Sequence, residues 1–281
     1  MKRIGVIGGD RRQALLADLL AADGFCVCTY GLGTWSDLEQ PLAEAVAADV
    51  VILPLPLCWQ GGLLNCGGEE IRTQDLFAML GPESLVLAGQ VKPEQRQEAE
   101  VYGVNLQDYF LREEMTVANA AATAEAAIQV AMEHLDRTLL GTDCLVLGFG
   151  RIGKLLSFRL HGLGSRVAAT ARKPEDLAWI DAFGWRALET GRIGPELKRF
   201  PVVFNTIPSL IINKELLGRL PTGCLVIDLA SVQGADAAAA AELGIRYIWA
   251  RGLPGKLVPL TAAAAIHRAA CAMIEEWEGA T

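Results

Sequence analysis

Three glycines stand at the spacing G-x-G-x-x-G in the run Cys144-Leu145-Val146-Leu147-Gly148-Phe149-Gly150-Arg151-Ile152-Gly153. An apolar stretch short enough for a buried strand enters the turn, and Leu155, Leu156, Phe158 and Leu160 continue beyond it with the spacing of a helix. That order suits dinucleotide binding. Gly148 makes the tight turn, Gly150 removes the side chain that would keep backbone N–H groups from a pyrophosphate, and Gly153 lets strand and helix pack closely. The phosphates would sit at the positive end of the helix dipole. The expected cofactor contacts are therefore Gly148, Phe149, Gly150, Arg151, Ile152 and Gly153.

The next strand, Arg166 to Ala171, ends where an acidic residue would receive the ribose hydroxyls of NAD. Thr170 and Ala171 are followed instead by Arg172-Lys173, a basic pair suited to a 2′-phosphate. This predicts NADP, with NAD as the alternative. Two further strands end in small or hydroxylated residues at the same mouth, Asn205-Thr206-Ile207-Pro208 and Leu229-Ala230-Ser231. Near the amino terminus, Asp10, Arg11 and Arg12 follow a first strand, either as a polar ligand cluster or as a helix start capped by aspartate. Asn119, Thr123 and Glu125 open a helical run, facing a cleft or serving as cap and first-turn acid.

These residues are positioned by an alternation of strands and helices. Lys2 to Gly9 reads as a strand, Gln13 to Ala22 as a helix, and Phe25 to Tyr30 as a second strand. Asp37 to Ala47 reads as a helix and Asp49 to Leu53 as a buried strand stopped by Pro54 and Pro56. Gln60 to Gly68 is expected to be a mobile, glycine-rich loop. Helices at Thr73 to Leu80 and Pro93 to Tyr102 alternate with strands at Ser84 to Ala88 and Val104 to Leu106. A helix from Asn119 to about Arg137 places Ile128, Met132, Leu135 and Leu139 on one face. The Gly252 to Thr261 stretch reads as a loop stiffened by two prolines, and Thr261 to Trp277 as a terminal helix. The fold class expected is α/β, two Rossmann-like doubly wound parallel-sheet domains with a cleft between them. The boundaries are a substrate domain at 1–115, an interdomain helix at 116–140, a dinucleotide domain at 141–260, and a terminal helix at 261–281 returning to the first domain.

A chain of 281 residues can hold two cores. No uninterrupted apolar run reaches membrane-spanning length, and the amino terminus turns into a strand without an h-region or cleavage site. These features point to the cytoplasm. The net charge of −8 disfavours nucleic acid or an anionic membrane as partner. Seven scattered cysteines read as reduced thiols. No metal site is expected, and His134, His161 and His267 read as ordinary helical histidines.

Taken together, Ile7-Gly8-Gly9-Asp10-Arg11, the segment Asn119 to Ile128 with Thr123-Ala124-Glu125, Val146 to Arg151, Ala171-Arg172-Lys173, Asn205 to Pro208, Ile227 to Ser231, and Gly252-Leu253-Pro254-Gly255-Lys256 resemble the A subunits of dipicolinate synthases. The resemblance covers essentially the whole length. Ala122 and Ala126 stand where that family usually has proline and glycine around Thr-Ala-Glu, and Val232-Gln233-Gly234 where it often has Pro-Gly-Gly.

The resemblance implies pyridine-nucleotide-dependent oxidation of a dihydrodipicolinate-type intermediate to pyridine-2,6-dicarboxylate in the mother cell of a sporulating bacterium. It also implies partnership with a flavoprotein-like B subunit, beside self-association into a homo-oligomer. A substrate with two carboxylates calls for cationic donors. Asp10, Arg11, Arg12, Asn119 and Thr123 are the expected substrate contacts. Lys256, Ser231 and Glu125 are the expected catalytic residues, with Glu125 as proton acceptor. Two other readings remain open: an NADP-dependent reductase similar to shikimate dehydrogenase, to whose turn Asn205 to Pro208 is also similar, and a non-catalytic dinucleotide-binding regulatory subunit. The reductase would want a Lys–Asp pair in the first domain, where Lys2 and Lys92 are poorly placed for it.

Overall fold

The computed structural model describes residues 2–58, 62–66 and 70–280. It divides into two compact units, Met1–Asn119 with Val258–Thr281, and Ala120–Leu257.

The first unit runs β1 (Arg3–Ile7), α1 (Arg11–Ala22), β2 (Cys26–Tyr30), α2 (Leu42–Val46), β3 (Val50–Ile52), α3 (Thr73–Met79), β4 (Leu85–Ala88), α4 (Pro93–Val101) and β5 (Asn105–Asp108). The strands form one parallel sheet in the order β2-β1-β3-β4-β5. Because side chains alternate across a strand, each buried run serves two layers. Ile4, Val6, Val50, Ile52, Leu85 and Leu87 pack into one core, while Val51, Leu53, Val86 and Ala88 pack into the other with Ala45 of α2 and Leu76 and Phe77 of α3. Burial on both faces is why these strands read as continuous apolar runs.

The chain passes through α5 (Glu113–His134) into the second unit. There follow β6 (Asp143–Leu147), α6 (Arg151–Gly162), β7 (Arg166–Ala171), α7 (Pro174–Ala182), β8 (Arg186–Glu189), β9 (Val202–Asn205), α8 (Lys214–Leu217), β10 (Leu225–Asp228), α9 (Ala237–Glu242), β11 (Arg246–Trp249) and α10 (Leu253–Leu257). Its parallel sheet has the order β11-β10-β9-β6-β7-β8. Cys144, Val146, Val202, Phe204, Leu225 and Ile227 face a layer containing α5 and α6; Leu145, Val203 and Val226 face a layer containing α8 and α9. The last helix, α11 (Pro259–Ala280), belongs to the first unit, where Ala265, Ile266, Ala269, Ala270 and Met273 pack with Ala14, Leu16, Ala17 and Leu20 of α1.

Several elements differ from the sequence reading. The helix expected from Asp37 shrinks to Leu42–Val46, because Leu38 and Gln40 exchange backbone hydrogen bonds with Thr29 of the edge strand β2. Helix α5 starts at Glu113 rather than Asn119, with Glu113 and Glu114 favourably placed in its first turn. It ends at His134, so Leu135 and Leu139 lie beyond it, and Met132 is exposed. Alanines 124, 127 and 131 join Ile128 on the buried face of the helix, and Leu139 and, in part, Leu135 pack on the same core from beyond its end. The stretch around Lys256 is the short helix α10 rather than a loop, and Pro259 stands at the first position of α11, where a missing N–H costs nothing. Strand β8 has no apolar run to announce it. Of the loop expected at Gln60 to Gly68, residues 60, 61, 67 and 68 lie outside the described residues, whereas Leu63 and Leu64 form bridges with Arg72 and Cys58. No helix among the described residues is long and apolar enough to cross a membrane.

Candidate functional site

In the second unit the strand order reverses direction at β6, whose neighbours are β7 and β9. Open α/β sheets bind ligands at such a switch point, outside the carboxyl ends of the strands. The glycine turn lies there. Gly148 has φ of +96°, and a Cβ on it would come within 2.6 Å of Thr206 Oγ1. A Cβ on Gly153 would run into the carbonyl oxygen of Gly148, which is the close helix–strand approach expected of the third glycine. Gly150 differs from both. A Cβ there would meet nothing within 4 Å, and Gly150 is the N-cap of α6 with no side chain capping the helix. The positive end of a twelve-residue helix thus begins at a residue whose missing side chain leaves room, where an anion would be stabilised.

The rim is held from both neighbouring strands. Gly148 N–H donates to Thr170 Oγ1 at 3.0 Å, and the Thr206 hydroxyl and N–H both donate to the Leu147 carbonyl at 2.9 Å. Phe149 is buried and meets Trp185 in a T-shaped contact. Arg151 and Ile152 begin α6. Thr170 and Ala171 are buried, whereas Arg172 and Lys173 are exposed beyond the end of β7. Lys173 lies 3.9 Å from Glu175.

Across β9, β10 and β11 a buried polar network fixes the remaining predicted turns. Asp228 is fully buried, and its carboxyl oxygens accept from Asn205 Nδ2 at 2.8 Å, Ala230 N at 3.1 Å, Gly234 N at 2.6 Å and the Tyr247 hydroxyl at 2.7 Å. Asn205 also brackets Ile207, accepting from its N–H at 3.1 Å and donating to its carbonyl at 3.0 Å. Pro208 follows, exposed. Leu229 N–H donates to the Asn205 carbonyl at 2.8 Å, and Trp249 Nε1 donates to the Ala230 carbonyl at 2.9 Å. Burial, together with the hydrogen bond to Asp228 and its charge, pushes the Tyr247 hydroxyl above the usual phenol range. Asp228 and Tyr247 are not among the residues the sequence marks as site candidates. A signal for Asp228 is nonetheless present, since an acid closing the apolar run Leu225-Val226-Ile227 needs buried donors.

The catalytic candidates are dispersed. Ser231 is exposed just past the Asp228-braced turn, and Lys256 is exposed on α10. Glu125 is a correction: it sits in the middle of α5, not in a first turn, and its carboxylate receives Arg159 Nε at 3.1 Å and Nη2 at 3.0 Å. Its position on α5 is two residues from Thr123, on a different face, whereas Asn119 and Thr123, four apart, share one. Thr123 is buried and Asn119 half-buried. Cys144 and Cys224, pushed by burial up to about 11 and about 12, stay protonated and offer no thiolate.

In the first unit the reversal falls between β1 and β3, and Asp10, Arg11 and Arg12 follow β1. Asp10 caps α1: its Oδ1 accepts from Arg12 N–H at 2.9 Å, and Gln13 Oε1 accepts from Asp10 N–H at 3.2 Å, closing a capping box. The guanidinium of Arg12 folds back onto the same carboxylate, Nε to Oδ1 at 2.9 Å and Nη2 to Oδ2 at 2.8 Å, and Nη2 also donates to the Leu55 carbonyl past the end of β3. Burial would raise the Asp10 carboxyl, but the hydrogen bonds and charge of Arg12 outweigh it and hold it below the usual range. Arg12 is buried in this fork, whereas Arg11 is exposed. Asp10 is therefore the helix cap of the second reading, and Arg11 stands exposed beside it at the carboxyl end of β1.

Two doubly wound parallel sheets, one with a dinucleotide-type glycine turn at its switch point, define a Rossmann-type protein of the dehydrogenase fold class. A solved D-lactate dehydrogenase from Escherichia coli has this fold, with a TM-score of 0.65 over 99% of this chain and 97% of that one at 13% identity. Residues 3–110 match the family model for the N-terminal domain of the dipicolinate synthase A subunit, and the resemblance read from the sequence extends through the rest of the chain. Over 274 residues it is 28% identical to the dipicolinate synthase A subunit of Bacillus subtilis (strain 168), covering 92% of this chain and 91% of that one. The crystal structure of the corresponding dipicolinate synthase chain from Bacillus halodurans aligns with a TM-score of 0.85 at 26% identity, covering 97% of each chain. The chain is thus similar to the dipicolinate synthase A subunits over both of its units.

Proposed function

We propose that this chain is the dinucleotide-binding redox subunit of a dipicolinate synthase, oxidising a dihydrodipicolinate-type intermediate to pyridine-2,6-dicarboxylate. The observation that carries the reading is the uncapped start of α6 at Gly150, open to space at the switch point of a sheet whose relatives are dipicolinate synthase A subunits. Two close approaches that only glycine permits, at positions 148 and 153, support the fit of a pyrophosphate there.

In this reading the N–H groups at the start of α6 hold the pyrophosphate, and Arg172 and Lys173 bind a 2′-phosphate, making NADP the preferred dinucleotide. The turns Asn205 to Pro208 and Leu229 to Ala230, kept rigid by Asp228, orient the nicotinamide. When bound, the dinucleotide accepts one hydride from the ring. The substrate gives up that hydride and one proton and becomes aromatic, which makes the direction favourable and leaves the protein mainly positioning to supply. Within the second unit, Lys256 is the exposed cation assigned to a substrate carboxylate, with Thr123 and Ser231 as hydrogen-bonding partners; Arg11 is the exposed cation that the first unit offers. Arg12 acts indirectly, by fixing Asp10 and the end of β1. Glu125 is committed to Arg159, so the proton goes to solvent or to another acceptor in this account. The relatives are named as A subunits, which supports a complex with a second, different chain.

Titration of the purified chain with NADP+ and NAD+ tests the cofactor assignment. NADP+ is expected to bind more tightly, and the double variant Arg172→Ala, Lys173→Ala is expected to lose roughly tenfold or more of that preference, the size of one to two charge-assisted hydrogen bonds. Equal affinities unchanged by the variant would remove the NADP assignment. Loss of neither nucleotide in variants of the glycine turn would remove the site itself.

A further inference from the structure

Away from the glycine turn, three side chains that ligate soft and borderline metal ions converge in the first unit. His267 and Cys271 stand four residues apart on α11, hence on one face of the helix. Asp23 closes the carboxyl end of α1, the helix that packs against α11 through the Leu16, Leu20, Ile266 and Ala270 core. One nitrogen faces both partners: His267 Nε2 lies 2.8 Å from Asp23 Oδ2 and 3.5 Å from Cys271 Sγ. The three donor atoms all lie within 4.8 Å of one another.

Those separations can be compared with a tetrahedral ion. With metal–nitrogen and metal–oxygen bonds of about 2.0 Å and a metal–sulfur bond of about 2.3 Å, tetrahedral edges are roughly 3.5 Å for N···S and 3.3 Å for N···O. The imidazole–thiolate edge is already in place, and the carboxylate–thiolate separation, within 4.8 Å, would settle at about 3.5 Å on the ion. The histidine–carboxylate edge needs to open by about half an ångström, the difference between a hydrogen bond and two ligands of one ion. Asp23 is half exposed, with 49% of its side chain open to water, while the His267 side chain is only 18% exposed. The ion would thus be anchored on the helix face and keep its fourth position toward solvent.

We propose that Asp23, His267 and Cys271 form a divalent metal site of the Zn2+ type, a three-ligand N, S, O set that clamps the terminal helix α11 onto α1. A thiolate with an imidazole selects zinc-like ions over calcium or magnesium, whose ligands are all oxygen. In the absence of metal, burial, aided by the charges of Asp23 and Glu275, holds the Cys271 thiol above its ordinary range. Cys271 would bind the ion as its thiolate, giving up its thiol proton.

Cobalt titration of the full chain, kept reduced, tests the site, with Co2+ alone as probe. A near-ultraviolet thiolate-to-cobalt band and the visible bands of a tetrahedral ion are expected at one equivalent, displaced by Zn2+. Cys271→Ser is expected to abolish the thiolate band, and Asp23→Asn to weaken Co2+ binding at least about tenfold while retaining that band. Zn2+ is expected to raise the melting temperature of the parent and not of Cys271→Ser. Absence of the thiolate band, or its persistence in Cys271→Ser, would overturn the proposal, the latter by assigning the ion to other cysteines. Serine replaces the thiol without changing its shape, so a folded Cys271→Ser protein keeps the comparison valid.

Discussion

Gly150 and Gly153 look alike in the sequence, yet the structure gives them opposite reasons for being glycine. At Gly153 a Cβ collides with the Gly148 carbonyl, a backbone atom that cannot swing aside, whereas at Gly150 it points into open space. Gly153→Ala is therefore expected to cost stability, about 1–3 kcal/mol as for other overpacked sites, and dinucleotide affinity with it. Gly150→Ala is expected to stay within about 1 kcal/mol of the parent, the range for a changed N-cap, while weakening dinucleotide binding by crowding the phosphates. Denaturant unfolding and nucleotide titration on both variants separate the two; equal stability loss in both would contradict the assignment.

The Asp10–Arg12 fork makes a second prediction at this scale. The Asp10 carboxyl is held below its ordinary pKa when folded, so its stabilising contribution is complete above the unfolded value, about 3.9, and is lost as pH falls through the folded value. Asparagine also caps helices, so Asp10→Asn keeps the cap and removes the ion pair. The variant is expected to lose roughly 1 kcal/mol at neutral pH, discounted because the carboxylate is 34% exposed, and to unfold less steeply with acid below about pH 4. Asp143, lowered chiefly by its hydrogen bond from Arg166, remains in both proteins and keeps some acid sensitivity. Identical acid limbs would show that Arg12 does not hold Asp10 in solution.

At the scale of elements, the turns after β9 and β10 depend on Asp228. Asp228→Asn sets an amide donor against a shell of donors and is expected to destabilise the chain by about 3 kcal/mol, because buried groups lose their acceptor. Tyr247→Phe, which removes one donor and leaves the carboxyl oxygens with the other three, is expected to cost about 1 kcal/mol. Chemical denaturation measures both, and an Asp228→Asn protein as stable as the parent would show that the network does not brace the turns.

The same elements show how much can be read from the chain. The strand, turn and helix at Leu145 to Leu160 announce themselves because a doubly covered strand is a continuous apolar run and a phosphate turn demands glycine. Strand β8, Arg186–Glu189, is half-buried at the sheet edge and carries no such run. At α5 the alanine-rich composition dominates the helix signal, while the two glutamates that begin the helix lie about six residues earlier. That displaced start puts Glu125 in an apparent first turn and makes it look like a free base; its partner Arg159 is 34 residues away, on α6. Asp23 and His267 are 244 residues apart, so only packing of α11 on α1 reveals their approach. Local chemistry is legible in the chain, and pairings across the fold are not.

For the whole molecule, each unit has its own doubly covered sheet, with the charged run Asp10 to Arg12 following the switch-point strand in one and the glycine turn Gly148 to Gly153 following it in the other. Likeness to dipicolinate synthase A subunits spans both, with 97% of this chain covered by the Bacillus halodurans structure. In the proposed function this chain carries the redox step. The most direct measurement follows absorbance of reduced nicotinamide and of dipicolinate together, after NADP+ and the freshly generated cyclic product of dihydrodipicolinate synthase are mixed with the purified chain, with and without a B subunit. Both signals are expected to rise in parallel, one reduced dinucleotide per dipicolinate, and no reduced nicotinamide is expected to form when this chain is omitted. Tight NADP+ binding with neither signal, even with the B subunit present, would contradict it and leave a dinucleotide-binding regulatory subunit or a different reductase as the description of this chain.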